Sequence, residues 1–144
     1  MNEKMLNTMF SSKTDLWETP VDFFTELDKE FQFTLDVCAN EENAKCLNYY
    51  DINDDGLSKN WIGNIWCNPP YGRDILNWVK KASEEIEKDY CNKIVMLVPS
   101  RTDTNWWHKY VINEEVRFIK GRLKFGGHRN SAPFPSAVVV YKRA

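Results

Sequence analysis

Apolar residues recur along this chain in two patterns that alternate. Val21, Phe24, Leu27 and Phe31 follow at spacings of three, three and four, which marks one face of a helix. Thr19 before Pro20 predicts its start, with threonine as the cap and proline at the first helical position. Phe33-Thr34-Leu35-Asp36-Val37-Cys38 reads as a strand ending in polar residues, and Asn48-Tyr49-Tyr50 as a short second strand. Asn53-Asp54-Asp55-Gly56 is a turn signal. Trp61 to Cys67 predicts a strand that Pro69-Pro70 stops. Asp74 to Tyr90 predicts a helix with Ile75, Trp78, Val79, Ala82 and Ile86 on one face. Ile94 to Val98 is the unbroken apolar run of a strand covered on both sides. Thr104 to Asn113 reads as a helix. Val116 to Phe125 and Ala137 to Tyr141 read as two late strands, joined through Gly126-Gly127 and Pro133-Phe134-Pro135.

Strands alternating with helices define an α/β sheet, and ligands bind such sheets beyond the carboxyl ends of the strands. Three polar clusters fall at those ends: Asp36 with Asn40, Asn68-Pro69-Pro70-Tyr71, and Ser100-Arg101-Thr102-Asp103. Together they point to a site along one edge. The 144 residues fit a flexible polar arm, 1–13, ahead of one domain, 14–144. The arm has no hydrophobic core of a secretory signal, and no run of 18 apolar residues predicts a membrane span. Cys38, Cys46, Cys67 and Cys91 lack a CxxC spacing, and His108 and His128 stand far from them, so no metal site is expected. A cytoplasmic protein with reduced thiols is the expectation.

Charge changes the picture only once it is divided. The net charge is −2. All acidic residues lie at or before Glu115, where twelve basic and twenty-one acidic residues sum to −9. Beyond that point stand Arg117, Lys120, Arg122, Lys124, Arg129, Lys142 and Arg143, a charge of +7. A basic end on an acidic body suits a polyanion, and it equally suits a solvated basic hairpin.

Asn68-Pro69-Pro70-Tyr71 directly follows a strand. One reading is a rigid strand-ending turn. The chemical reading concerns an exocyclic amine, whose lone pair is delocalised into its ring. The amide oxygen of Asn68 and the Pro69 carbonyl, both accepting from that amine, favour a more tetrahedral nitrogen. The prolines hold the carbonyl with little freedom, and Tyr71 offers a flat face for an extruded base.

These residues, with further stretches, carry a resemblance. Trp17-Glu18-Thr19-Pro20, Phe33 to Ala39, Glu42 to Cys46, Asp54 to Leu57, Trp66 to Gly72, Pro99 to Thr104, and Gly121 to Gly127 with Ser131 to Ala137 are similar to the phage and prophage DNA N-6-adenine-methyltransferase family. The resemblance implies an α/β, Rossmann-like S-adenosylmethionine-dependent methyltransferase fold. Its sheet is mostly parallel with a late antiparallel strand, and helices cover both faces. It implies adenine N6 in DNA as substrate and S-adenosylmethionine as cofactor. Asn68, Pro69, Pro70 and Tyr71 become the catalytic set. Trp17, Thr19, Pro20, Asp36, Cys38, Ala39 and Asn68 are expected at the methionine part of the cofactor, Asp51 at its ribose and Asp55 at its adenine amine. No glycine-rich turn follows the first strand, so the cofactor carboxylate is held in some other way. Arg122, Lys124, Phe125 and Arg129 are expected to face DNA, mainly its phosphates, and a homodimer is one way for so small a chain to span it. Cytosine N4, an RNA base and a protein glutamine remain chemically permitted substrates, as does a non-catalytic nucleic-acid-binding role.

Overall fold

In the computed structural model, residues 17–126 and 131–144 are described. The expected arm at 1–13, together with His128 and Arg129, lies outside them. The first helix, α1, spans Val21–Phe31 and buries Phe24 and Phe31. Pro20, not Thr19, holds the cap position, and no side chain caps the helix. The Thr19 hydroxyl has another partner, as the site shows.

Strand β1 is shorter than its pattern predicts, Leu35–Asp36 rather than Phe33 to Cys38. The Thr34 hydroxyl bonds to the backbone of Asn64 at the start, and the Asp36 carboxylate turns the chain at the end. Asn48-Tyr49-Tyr50 forms no strand. It contributes a single parallel bridge between Tyr49 and Asp36 on the outer side of β1. A short 3-10 turn covers Gly56–Ser58, next to Asp55 in the left-handed region at φ 57°.

Strand β2 spans Gly63–Cys67 and starts two residues later than expected, at Gly63 with φ 100°. Thr34 leaves no room for a side chain at Gly63, because a β-carbon would come within 2.5 Å of its hydroxyl. Helix α2, Ile75–Glu85, ends before the predicted Tyr90. Its last turn tightens, and Arg143 from the end of the chain donates to the carbonyls of Ile86, Lys88 and Cys91. Strand β3 spans Cys91–Pro99 and helix α3 spans Asn105–Tyr110, capped by the Thr104 hydroxyl, which accepts from the Trp107 N–H. Strand β4 covers only Glu115–Phe118, because its partner β5, Ser136–Tyr141, ends opposite it.

The five strands form one sheet in the order β1-β2-β3-β5-β4. β1, β2 and β3 pair in parallel, and β5 runs antiparallel to both β3 and β4. Register puts Trp66, Val95, Val140 and Glu115 in one row, so their side chains share a face. Lys93 and Arg117 lie two residues along on that same face. Helix α1 covers it: Phe24 meets Trp66 edge-on at 5.2 Å, and Arg117 lies 5.2 Å over the Phe31 ring. Phe118 has the opposite parity and meets Trp107 of α3 at 6.2 Å, while α2 packs on α3. Helices therefore cover both faces, and the middle strand β3 is buried from Ile94 through Val98.

Candidate active site

The order of β1, β2 and β3 brings the three polar clusters side by side at the carboxyl ends of neighbouring parallel strands. Asn68 stands in the middle, just after β2. Its side-chain N–H group donates to the Trp17 carbonyl and, at 2.9 Å, to the Thr19 hydroxyl. A carbonyl can only accept, so this pairing decides which way the amide faces. The amide oxygen is left buried with no donor among the described residues. A buried acceptor without a partner costs stability and marks a place where a ligand donor belongs.

The residues expected around the cofactor at the N-terminal side thus meet Asn68. Trp17 and Thr19 are buried, and Glu18 pairs with Gly126 in a single bridge and with Lys45 at 3.9 Å. Pro20 continues this segment into α1. Trp17, Tyr71, Phe125 and Phe134 form one aromatic cluster with ring centroids 5.0 to 6.3 Å apart. Each ring comes from a different one of the sequence stretches above.

Two expectations change here. Tyr71 is not an open platform: it is 4% exposed, and its hydroxyl donates to the Leu97 carbonyl at 3.3 Å. Burial pushes its pKa well above the ordinary phenol value, so it is a neutral donor. Phe125 is 1% exposed and belongs to the cluster behind Asn68, not to a surface that could face DNA. An apolar ring between cationic neighbours reads as a surface stacking group in sequence, but the fold uses it as core.

Asp36 ends β1 with 2% exposure. One carboxylate oxygen accepts from the Cys38 N–H at 3.2 Å and the other from the Lys45 N–H at 3.0 Å. It thereby folds the segment from Cys38 to Lys45 back over the strand end, while Ala39 N–H donates to the Tyr50 carbonyl. Cys38 and Ala39 are left half-buried on this segment. Burial pushes the thiol of Cys38 up, and that of Cys46 up to about 12, so both are neutral. Asp51 accepts from the N–H groups of Asn53 and Asp54, which occupies one of its oxygens. The Asp55 carboxylate is exposed and has no partner among the described residues.

The basic end divides. Arg117 is held by Glu30 and Glu115, both at 2.7 Å, Lys142 pairs with Glu115 at 3.5 Å, and Arg143 caps α2. Lys120, Arg122 and Lys124 are exposed without an ion pair among the described residues. Sequence reading passed over Phe134, Lys45 and Glu18, which the fold brings around Asn68. Their only signal was membership of the stretches that carry the resemblance.

The arrangement leaves a buried acceptor at the edge of an α/β sheet. Comparison with known proteins gives the family. Residues 7–142 match the family described as DNA N-6-adenine-methyltransferase (Dam), and the chain belongs to that family. The DNA N-6-adenine-methyltransferase of Haemophilus phage HP1 (strain HP1c1) is 29% identical over 139 residues, 88% of this chain and 79% of the phage protein. The putative methyltransferase YfdM of Escherichia coli (strain K12) is 35% identical over 65 residues, 40% of this chain and 71% of that protein.

Two outcomes follow from the geometry. Thr19→Val keeps the side-chain shape and removes the acceptor for Asn68. Turnover in methyl transfer should fall about tenfold with the KM for DNA little changed, and Thr19→Ser should retain most activity. Equal turnover in the Val variant would show that Thr19 does not orient the amide. The second outcome concerns Asp36, whose pKa burial raises from 3.8 to about 6, against the opposing pull of the Lys45 and Cys38 N–H bonds. Between those values the folded chain holds a proton that the unfolded chain has released. The stability tied to Asp36 is therefore full below about pH 4 and lost as pH rises to about 6, on the order of 3 kcal/mol. Urea unfolding across pH 4 to 7 should show Asp36→Asn gaining stability relative to the unchanged protein. A constant difference would mean that Asp36 is ionised in the fold throughout.

Proposed function

We propose that the chain transfers a methyl group from S-adenosylmethionine to N6 of adenine in DNA, at the carboxyl end of β2. Family membership supports the activity, and one observation carries the site: the buried Asn68 amide oxygen that lacks a donor. No hydrogen bond to the Pro69 carbonyl is present among the described residues either. The two acceptors suit the two hydrogens of an exocyclic amine. Accepting both of them favours a tetrahedral nitrogen with its lone pair out of the ring plane. When bound, S-adenosylmethionine supplies an electrophilic methyl on a cationic sulfur. The nitrogen becomes cationic as it is methylated, and its extra proton leaves to water, so the chemistry needs no side-chain base. Asn68 and Pro69 hold the amine in line throughout.

The residues present fit the cofactor. β1, β2 and β3 run parallel with their carboxyl ends together, and ligands settle beyond such ends on open α/β sheets. The half-buried Cys38-Ala39 segment folded by Asp36 would hold its methionine part, and the unpartnered Asp55 its adenine amine. Asp51 would reach the ribose with the carboxylate oxygen that its own turn leaves over. The single reversed strand between β3 and β4, with helices on both faces, supports a Rossmann-like methyltransferase fold. Arg122 and Lys124 supply contacts to DNA phosphates; Arg129, expected to act with them, lies outside the described residues. No helix among the described residues is long and apolar enough to cross a membrane.

Incubating unmethylated plasmid DNA with the pure protein and cofactor, then digesting it to nucleosides, should yield N6-methyladenine. N4-methylcytosine instead, or no methylated nucleoside, would overturn the reading. Asn68→Ala should bind the cofactor roughly as before and lose methyl transfer by at least about a hundredfold, since the acceptor acts on the transition state. Arg122→Ala with Lys124→Ala should weaken plasmid binding and flatten its salt dependence by about two in the log-log slope. An unchanged slope would remove these two residues from the interface.

A further inference from the structure

The methionine part of S-adenosylmethionine ends in an α-amino acid, a carboxylate and an ammonium on one carbon. Backbone N–H groups in a turn beyond a strand are a common cradle for an anion. After β1 they are already spent. From Cys38 to Lys45, every N–H except that of the exposed Glu41 is bonded within the protein. The Asp36 carboxylate takes those of Cys38 and Lys45, and the Tyr50 carbonyl takes that of Ala39. Asn40 and Asn43 take the rest between them. A carboxylate placed beside this segment therefore needs a cation from a side chain.

Lys45 supplies one. Only 12% of its side chain is exposed, and its ammonium makes no hydrogen bond among the described residues. Its one ion pair there reaches Glu18 at 3.9 Å, too long for a hydrogen bond. An ammonium withdrawn from water with its three donors unmet costs stability and suits an anionic ligand. We propose that Lys45 and Glu18 together bind the α-amino-acid end of S-adenosylmethionine, Lys45 its carboxylate and Glu18 its ammonium. The assignment rests on the cofactor reading above and names the groups that stand in for a glycine-rich turn.

The pair lies between the two elements that this reading sets around the methionine part. The Lys45 N–H is anchored on Asp36 at the end of β1. Glu18 stands between Trp17 and Thr19, the two residues that orient Asn68 at the end of β2. Glu18 is also held in place: its carbonyl accepts from the Gly126 N–H at 2.9 Å. A β-carbon at Gly126 would come within 3.3 Å of the Glu18 carboxylate, so glycine leaves the space that this side chain occupies. With 45% of its side chain exposed, Glu18 leaves one flank of the pair open to a ligand. A long, partly exposed ion pair contributes little by itself. Exchanging it for two short charge-assisted hydrogen bonds to a zwitterion contributes more. The two opposite charges side by side also match a ligand whose own two charges sit on one carbon.

Titration calorimetry on the full chain tests this with S-adenosylmethionine and its decarboxylated form, which keeps the sulfonium and the amine. The unaltered protein should bind S-adenosylmethionine at least about tenfold more tightly than the decarboxylated form. Lys45→Met should erase that preference, losing about tenfold for S-adenosylmethionine while the decarboxylated form binds at least as well as before. Lys45→Arg should restore most of it. Glu18→Gln should weaken both forms alike, since both keep the ammonium. No preference in the unaltered protein would overturn the assignment without any variant. An equal loss of both forms in Lys45→Met would reduce Lys45 to a structural tie and overturn it as well. Failure of the unaltered protein to bind S-adenosylmethionine at all would instead overturn the cofactor reading beneath it.

Discussion

The Asn68 amide is the constraint on which the site depends. Its nitrogen is satisfied twice, by the Trp17 carbonyl and the Thr19 hydroxyl, and its oxygen has no donor among the described residues. A protein stabilises itself by pairing buried polar atoms, so an unpaired one in the middle of the sheet edge is a cost kept for use. The segment ahead of α1 sets that orientation, and the aromatic cluster fixes the segment. Trp17 packs on Phe125 and Phe134, and Tyr71 packs on the same two rings while bonding to β3. Four segments far apart in sequence thus converge to aim one side chain.

Charge is arranged along the same edge. Asp36, its pKa raised by burial to about 6 and its carboxylate folded onto two backbone N–H groups, shapes the β1 side. The acidic turn of Asp51 to Asp55 follows it. On the β3 side, Arg101 is the one charged group among the described residues lining the recess formed by Tyr71, Pro99, Trp106 and Phe134. The net charge of −2 conceals this, because the large opposite charges sit in different places and several are already paired. Arg117, Lys142 and Arg143 serve the fold, which leaves Lys120, Arg122 and Lys124 as the free cations of the described basic end.

Much of the architecture was legible from periodicity. The face of α2 and the buried run of β3 appear where apolar spacing places them, whereas α1 buries Phe24 and Phe31 of its expected face and leaves Val21 exposed. Element ends were less legible, since they depend on partners distant in sequence. β1 stops where Asp36 turns to Lys45, α2 gives way to a turn whose carbonyls Arg143 reaches, and β4 stops where β5 runs out. Thr19 reads as a helix cap because threonine before proline usually is one, yet Asn68 claims its hydroxyl.

By itself the sequence determined the α/β class and the family and singled out the Asn68-Pro69-Pro70-Tyr71 tetrapeptide, because these rest on local spacing and on ordered short motifs. Only the tertiary structure decided which way the Asn68 amide faces, that Tyr71 and Phe125 are core rather than surface, and that Trp106, Arg101 and Phe134 share a recess. Each of those outcomes turns on contacts between residues tens of positions apart. Burial and hydrogen-bond pairing are properties of such contacts, and no local pattern encodes them.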